Sequence, residues 1–287
     1  MREVIVEEKW NGKSLNYVLN VCFPHLQQSM FFKALRQKDI KINEKRVKEN
    51  VLVHSGDKIE VYIVDELLLG KTVHFKIAYE DENILVVDKP VGISVTQEKN
   101  TNTVCLTTVL QEQFGKEIKP CHRLDRNTKG LVLFAKNAIA EKILVDKFKN
   151  HEIEKHYQAI VYGIPKEEHQ VLKDYLFKDC KKNIVYISSV PKKGYQEIIT
   201  EYTILQKDIQ NHTAVLDVNL HTGRTHQIRA HLAYHGYPII GDEKYGNHQK
   251  NQAVHKKTQE LMCYQLIFRF SKDAGVLNYL TGKEVRL

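Results

Sequence analysis

The segment Cys121-His122-Arg123-Leu124-Asp125-Arg126-Asn127-Thr128-Lys129-Gly130 runs into the apolar stretch Leu131-Val132-Leu133-Phe134-Ala135. It sets one carboxylate, Asp125, among the basic or ionisable side chains of His122, Arg123, Arg126 and Lys129. Thr128 and Gly130 mark a turn, and the apolar stretch reads as a strand. Opposite charge favours the ionised form of a carboxylate, and an ionised carboxylate can act as a nucleophile. Taken alone, the ten residues read as a structural ion pair in a loop, because such pairs also perturb carboxylates.

Two further segments change that reading. Thr222-Gly223-Arg224-Thr225-His226-Gln227-Ile228-Arg229-Ala230-His231-Leu232 is followed by Gly236-Tyr237-Pro238-Ile239-Ile240-Gly241-Asp242 and by Tyr245-Gly246. Lys155-His156-Tyr157-Gln158-Ala159 lies between this block and the first segment. In this order, with His-Arg-Leu-Asp leading to Thr-x-Gly and a strand, the chain resembles the RluA family of pseudouridine synthases along nearly its whole length. The resemblance implies an isomerase that converts uridine to pseudouridine in structured RNA, with no cofactor and no metal. It implies Asp125 as the catalytic carboxylate, Arg229 as its partner and Tyr157 as the active-site tyrosine against which a flipped base stacks. His122, Arg123 and Arg224 become candidates for touching RNA. Asp88-Lys89-Pro90-Val91-Gly92 resembles the family's first block but is assigned no chemistry. Lys129 stands where Ser is frequent, and Leu261 to Phe268 lacks the His-Ala and later His-Pro often found there. Leu261 and Leu266 supply the apolar side chains expected near the base.

Composition agrees with an RNA partner without proving one. The 287 residues, 42% of them hydrophobic, are enough for one large or two smaller domains. The net charge of +8 favours a polyanion. Five dispersed cysteines with no C-x-x-C pair argue against a disulfide framework or a structural zinc site, and suit a reducing cytoplasm. The charged N-terminus does not read as a signal peptide, and no apolar run reaches membrane-spanning length. The chain is expected to be a cytoplasmic monomer with no membrane contact.

In the first 65 residues, a helix capped by Ser14 carries Leu15, Val18, Leu19 and Cys22 on one face. A second helix begins at Ser29, and alternating strands follow at Ile40-Ile42 and Ile59-Ile63. Lys33, Arg36, Lys41 and Arg46 make a basic surface suited to a phosphate backbone. This arrangement resembles the small RNA-binding domain named after ribosomal protein S-four. The expected organisation is therefore that domain over 1–65, a linker over 66–74 and a catalytic domain over 75–287. The fold class is α+β: a small α/β domain, then a larger domain built on a mixed, mainly antiparallel sheet.

In the second domain, strands are expected at Ile84-Val87, Leu131-Ala135, Lys155-Tyr162, Val215-Leu220 and Tyr264-Phe270. Helices are expected at Thr107-Phe114 and, capped by Asn137, up to Lys149. Ile184-Val190 and Glu197-Leu205 read as a hairpin closed by Lys192-Lys193-Gly194, and Gly275-Arg286 as a closing hairpin around Thr281-Gly282. Thr225 is the expected cap of a helix stopped by Gly236. His221, His226, His231 and His235 invite a metal reading, but no Cys or Glu stands at ligand spacing, so packing and hydrogen bonding explain them better.

The alternative function is an RNA-binding or RNA-folding protein without catalysis. Ribosomal RNA is the expected target because a basic N-terminal domain suits a large folded RNA; transfer RNA stays open.

Overall fold

The computed structural model describes residues 1–63, 68, 73–97 and 104–287, and the chain falls into two units, Met1–Val73 and His74–Leu287. Most of the expected linker, like residues 98–103, lies outside the described residues.

The first unit contains β1 (Arg2–Ile5), β2 (Lys13–Ser14), α1 (Leu15–Cys22), α2 (Gln28–Gln37), β3 (Ile40–Ile42), β4 (Lys45–Arg46), β5 (Leu52–Val53) and β6 (Lys58–Val61). The Ser14 hydroxyl accepts from the Tyr17 N–H and starts α1, as its sequence predicts. Leu15, Val18 and Leu19 of α1 pack with Phe31, Ala34 and Leu35 of α2 over Ile40, Ile59 and Val61, all buried. The strands order as β1-β6-β3-β4, beside a separate β2-β5 pair.

The second unit contains β7 (Lys76–Glu80), β8 (Ile84–Lys89), α3 (Leu106–Phe114), β9 (Lys119–Pro120), β10 (Lys129–Ala135), α4 (Ala138–Lys149), β11 (Ile153–Tyr162), β12 (His169–Asp179), β13 (Ile184–Ser188), β14 (Gln196–Asp208), β15 (Thr213–Leu220), α5 (Gln227–Tyr234), α6 (His248–Ala253), β16 (Leu261–Phe268) and β17 (Glu284–Arg286). Its sheet runs β13-β12-β14-β15-β11-β16-β10-β8-β7, with β17 on β16 and β9 on β10. The fold is thus α+β, with few helices around a large, mainly antiparallel sheet. β10 and β16 pair in parallel, at Lys129 with Met262 and Gly130 with Cys263. That approach demands a glycine. A Cβ on Gly130, whose φ is +114°, would lie 2.1 Å from the Cys263 carbonyl oxygen.

Three local expectations are corrected. Ile184-Ser188 and Gln196-Asp208 do not form a hairpin, because β12 pairs with both and lies between them. Lys192-Lys193-Gly194 is a turn within a crossover, where Tyr195 N–H donates to the Lys192 carbonyl. The C-terminal stretch is not a hairpin of its own. Asp273 accepts from Gly275 N–H and Asn278 Nδ2, which winds Gly275–Leu280 into a 3-10 helix. β17 then returns along β16. Finally, Thr225 does not cap α5: the cap position is His226, in the left-handed region at φ 55°. Gln227 knits the turn instead, accepting from Arg224 N–H and Thr222 Oγ1 and donating to Ile199 O and Thr200 Oγ1. At the other end Gly236, at φ +88°, closes α5 as expected.

Candidate active site

Between the loop before β10, strands β11 and β16 and the start of α5 lies a cavity of about 560 Å³, lined among others by Asp125, Tyr157, Arg229, His226, Lys155 and Leu261. That volume suits one small organic ligand or one nucleotide side group. The cavity also brings in His122, Arg123 and Arg224.

The Asp125 loop is held from three sides. Thr128 N–H donates to the Asp125 carbonyl at 3.1 Å, tightening the turn. Gln259 Nε2 donates to Thr128 Oγ1 from the approach to β16. Lys89, fully buried at the end of β8, donates from Nζ to the carbonyls of Pro90, Ile93 and Arg126 at 2.9, 3.0 and 3.1 Å. Three carbonyls match the three hydrogens of an ammonium group. Burial nevertheless pulls the Lys89 amine down to about 8, against Asp125 and Asp88, which raise it. Arg126 completes the clamp by donating from Nε to Gly92 O at 3.0 Å. The Lys-Pro-x-Gly turn therefore braces the loop that carries Asp125.

Arg229 lies on α5, 7% exposed. It donates from Nη1 to Asp125 Oδ2 at 2.9 Å. Its other edge meets Asp242, through Nε to Oδ2 at 2.7 Å and Nη2 to Oδ1 at 2.9 Å. Asp242 Oδ1 also accepts from the N–H groups of Lys244 and Tyr245. Burial raises the Asp242 carboxyl, but Arg229 and these N–H groups outweigh it and hold the group below its ordinary range. The Arg229 guanidinium, disfavoured by burial, is held charged by both carboxylates.

Tyr157 is buried on β11, level with Cys263 of β16. A bulge between His156 and Tyr157 leaves Tyr264 unpaired, and Tyr264 bonds Asp217 through its hydroxyl. Burial first, then Cys263 and Asp125, push the Tyr157 phenol well upward, so it stays protonated. His122 accepts from Leu133 N–H at Nε2, 3.1 Å away, and its ring lies 5.0 Å from that of Phe148. This bond needs a neutral ring, and burial pulls the His122 imidazole down to about 3. Arg123 and Arg224 are exposed at the cavity mouth. Leu261 lines the cavity, whereas Leu266 is buried in the core between Lys155 and Val285.

Of the four basic candidates in the first unit, Lys33 and Arg36 are exposed on α2. Lys41 is 3.8 Å from Glu60 and sits over the Tyr62 ring, and Arg46 donates to the Lys38 carbonyl.

Sequence reasoning missed Lys89, Asp242 and His226 as parts of the site. A lysine closing an apolar strand and an Asp after Gly241 were the available signals. The histidine reading gains a carboxylate it lacked: Asp174 Oδ2 from β12 accepts from His231 Nε2 at 2.9 Å and His235 Nε2 at 2.7 Å. These three ligand-type atoms lie within 4.8 Å of one another. Among the described residues, no helix is long and apolar enough to cross a membrane.

The sequence model described as RNA pseudouridylate synthase matches residues 83–234. A Rickettsia bellii protein named ribosomal large subunit pseudouridine synthase C is 32% identical over 294 aligned residues, covering 95% of this chain and 92% of its own. An uncharacterized RNA pseudouridine synthase of Chlorobaculum parvum is 33% identical over 256, covering 82% and 77%. In three dimensions the chain is similar in fold to human RNA pseudouridylate synthase domain containing 1, with a TM-score of 0.60 at 22% identity, over 71% of this chain and 82% of that one.

Proposed function

Because this chain belongs to the RNA pseudouridylate synthase family, and is therefore an RNA isomerase, we propose that Asp125 is its catalytic carboxylate and large-subunit ribosomal RNA its target. The observation that carries the first part is the Asp125–Arg229 pair facing a cavity of nucleotide size. Arg229 occupies Oδ2, and among the described residues nothing bonds Oδ1, which leaves that oxygen for the substrate.

The reaction breaks the bond from uracil N1 to ribose C1′ and makes one from C5 to C1′. The proton lost from C5 is balanced by one gained at N1, so no electrons are exchanged and no redox partner is required. Asp125 serves by attacking the sugar, attacking the base or taking a sugar proton, and Arg229 holds it in place through its bond to Oδ2. Tyr157 gives the extruded base a flat, neutral partner. Arg123 and Arg224 are suited to phosphates at the cavity mouth, and His122 braces the loop.

In the first unit, Lys33, Arg36, Lys41 and Arg46 form the surface of an S-four-type RNA-binding domain. The names of relatives such as the Rickettsia bellii protein favour ribosomal over transfer RNA. The free thiols suit a reducing cytoplasm, where the chain would act as a monomer.

The test is a pseudouridine map of total RNA from cells with the protein, without it, and with Asp125→Asn in its place. The expected result is one or more large-subunit ribosomal positions lost in both deficient strains. Signals retained with Asp125→Asn overturn the carboxylate assignment. Loss confined to transfer RNA overturns the target.

A further inference from the structure

We propose that His226 holds the 2′-hydroxyl of the target nucleotide, bridging it to Asp125, with Tyr245 fixing the imidazole in the tautomer this requires. The proposal rests on the pseudouridine synthase reading and extends it to the recognition of the sugar.

The argument follows the hydrogens. Val185 N–H donates to the Tyr245 hydroxyl at 2.9 Å, so Oη is an acceptor there. The hydroxyl has one hydrogen to give. Its other partner among the described residues is His226 Nδ1, at 2.8 Å. Given to Nδ1, that hydrogen makes Nδ1 the acceptor and leaves a neutral ring with its own hydrogen on Nε2. Burial pulls His226 down to about 4, which keeps the ring neutral near pH 7. His226, in the left-handed region at φ 55°, lines the cavity.

Nε2 lies 4.0 Å from Asp125 Oδ2. That is too long for a direct hydrogen bond but spans one oxygen: two bonds of about 2.8 Å meet at about 90° on the atom between them. This atom must accept from Nε2–H and donate to a carboxylate. Uracil carbonyls and phosphate oxygens accept only, and N3–H donates only. Within an RNA chain the 3′ and 5′ oxygens are esterified. The 2′-hydroxyl both accepts and donates, and it is the group by which a protein tells RNA from DNA. A bond to Oδ2 leaves Oδ1, unbonded among the described residues, for the reacting atoms.

The experiment uses the full chain and a synthetic stem-loop containing the uridine located by the map above, made with ribose or 2′-deoxyribose at that one nucleotide. Wild type should lose about tenfold in kcat/KM on the deoxy RNA, the scale of one hydrogen bond. His226→Leu should lose about tenfold on the ribose RNA and little more on the deoxy RNA. His226→Gln, which can place an N–H near the Nε2 position, should retain most activity. His226→Asn suits the left-handed backbone better yet places its amide near Nδ1, so it should behave like Leu. Tyr245→Phe, which frees the tautomer, should blunt the discrimination between the two RNAs. Losses from variant and deoxy RNA that simply multiply would overturn the proposal, as would an Asn variant as active as Gln. Wild type that modifies neither RNA overturns the functional reading itself, an outcome distinct from both.

Discussion

Asp242 grips Arg229 along one edge of the guanidinium, at Nε and Nη2, and leaves Nη1 as the hand offered to Asp125. The direction of that hand is set by a carboxylate that does not touch the cavity. Asp242 is 1% exposed, so the pair is a buried ion pair with further bonds from Lys244 and Tyr245.

Removing the grip should therefore do two things. Asp242→Ala leaves a buried, half-paired Arg229 and should cost about 3–5 kcal/mol of stability. The milder Asp242→Asn keeps the shape while giving up the charge. It should lower kcat at least tenfold with KM for RNA little changed, because Asp242 touches Arg229 and not the cavity. Urea unfolding and saturation kinetics check the two statements separately.

Arg229→Lys tests the fork itself. Lysine keeps one positive charge but cannot bond two carboxylates along two edges of a plane. Turnover should fall by about a hundredfold or more while RNA binding stays near wild type, read as kcat against a filter-binding Kd. A Lys variant with wild-type kcat would show that charge alone suffices.

In the first unit, Lys33 and Arg36 are exposed on α2, whereas Lys41 and Arg46 already have partners within the unit. The exposed pair should carry more of the RNA binding. Changing both to Ala should reduce the slope of log K against log salt by roughly 0.7–0.9 for each phosphate that is no longer neutralised. An unchanged slope would remove this surface from the interface.

Acid should weaken the second unit through His122. Its folded value is depressed to about 3 from an ordinary 6.5, so the unfolded chain binds the proton first. The contribution is complete above pH 6.5 and is lost as pH falls toward 3. The slope approaches about 1.4 kcal/mol per pH unit within that window. Urea unfolding of the wild type between about pH 7 and pH 4.5 should show the fall, and His122→Gln should flatten it.

The sequence made the strands with clean alternation or unbroken apolar runs readable: Lys155 to Tyr162, Ile84 to Val87, and Leu131 to Ala135. β12 escaped because its inward face includes a polar residue, Asp174, between Leu172 and Leu176, so its period looks broken. That buried Asp is explained only by His231 and His235, 57 and 61 residues on. The Asp125–Arg229 contact spans 104 residues and was reached through family resemblance; no local pattern contains it. Asp242 and Lys89 were invisible for a related reason. Each bonds groups on other segments, and a short motif shows the residue without its partners. Thr225 failed as a cap because the chain turns left-handed at His226, one residue later, and Gln227 N–H donates to the Arg224 carbonyl.

The parallel pairing of Gly130 with Cys263 also sets an order in time. β10 cannot complete its edge, nor can Thr128 receive its bond from Gln259, until a stretch 131 residues later has been synthesised. β7 and β8 pair as a local hairpin, and β10 then adds to β8, all from segments made before β16. The loop bearing Asp125 is then shaped on one side only. A chain lacking β16 is thus without Leu261 in the cavity lining and without the Gln259 bond to the loop, and should be inactive.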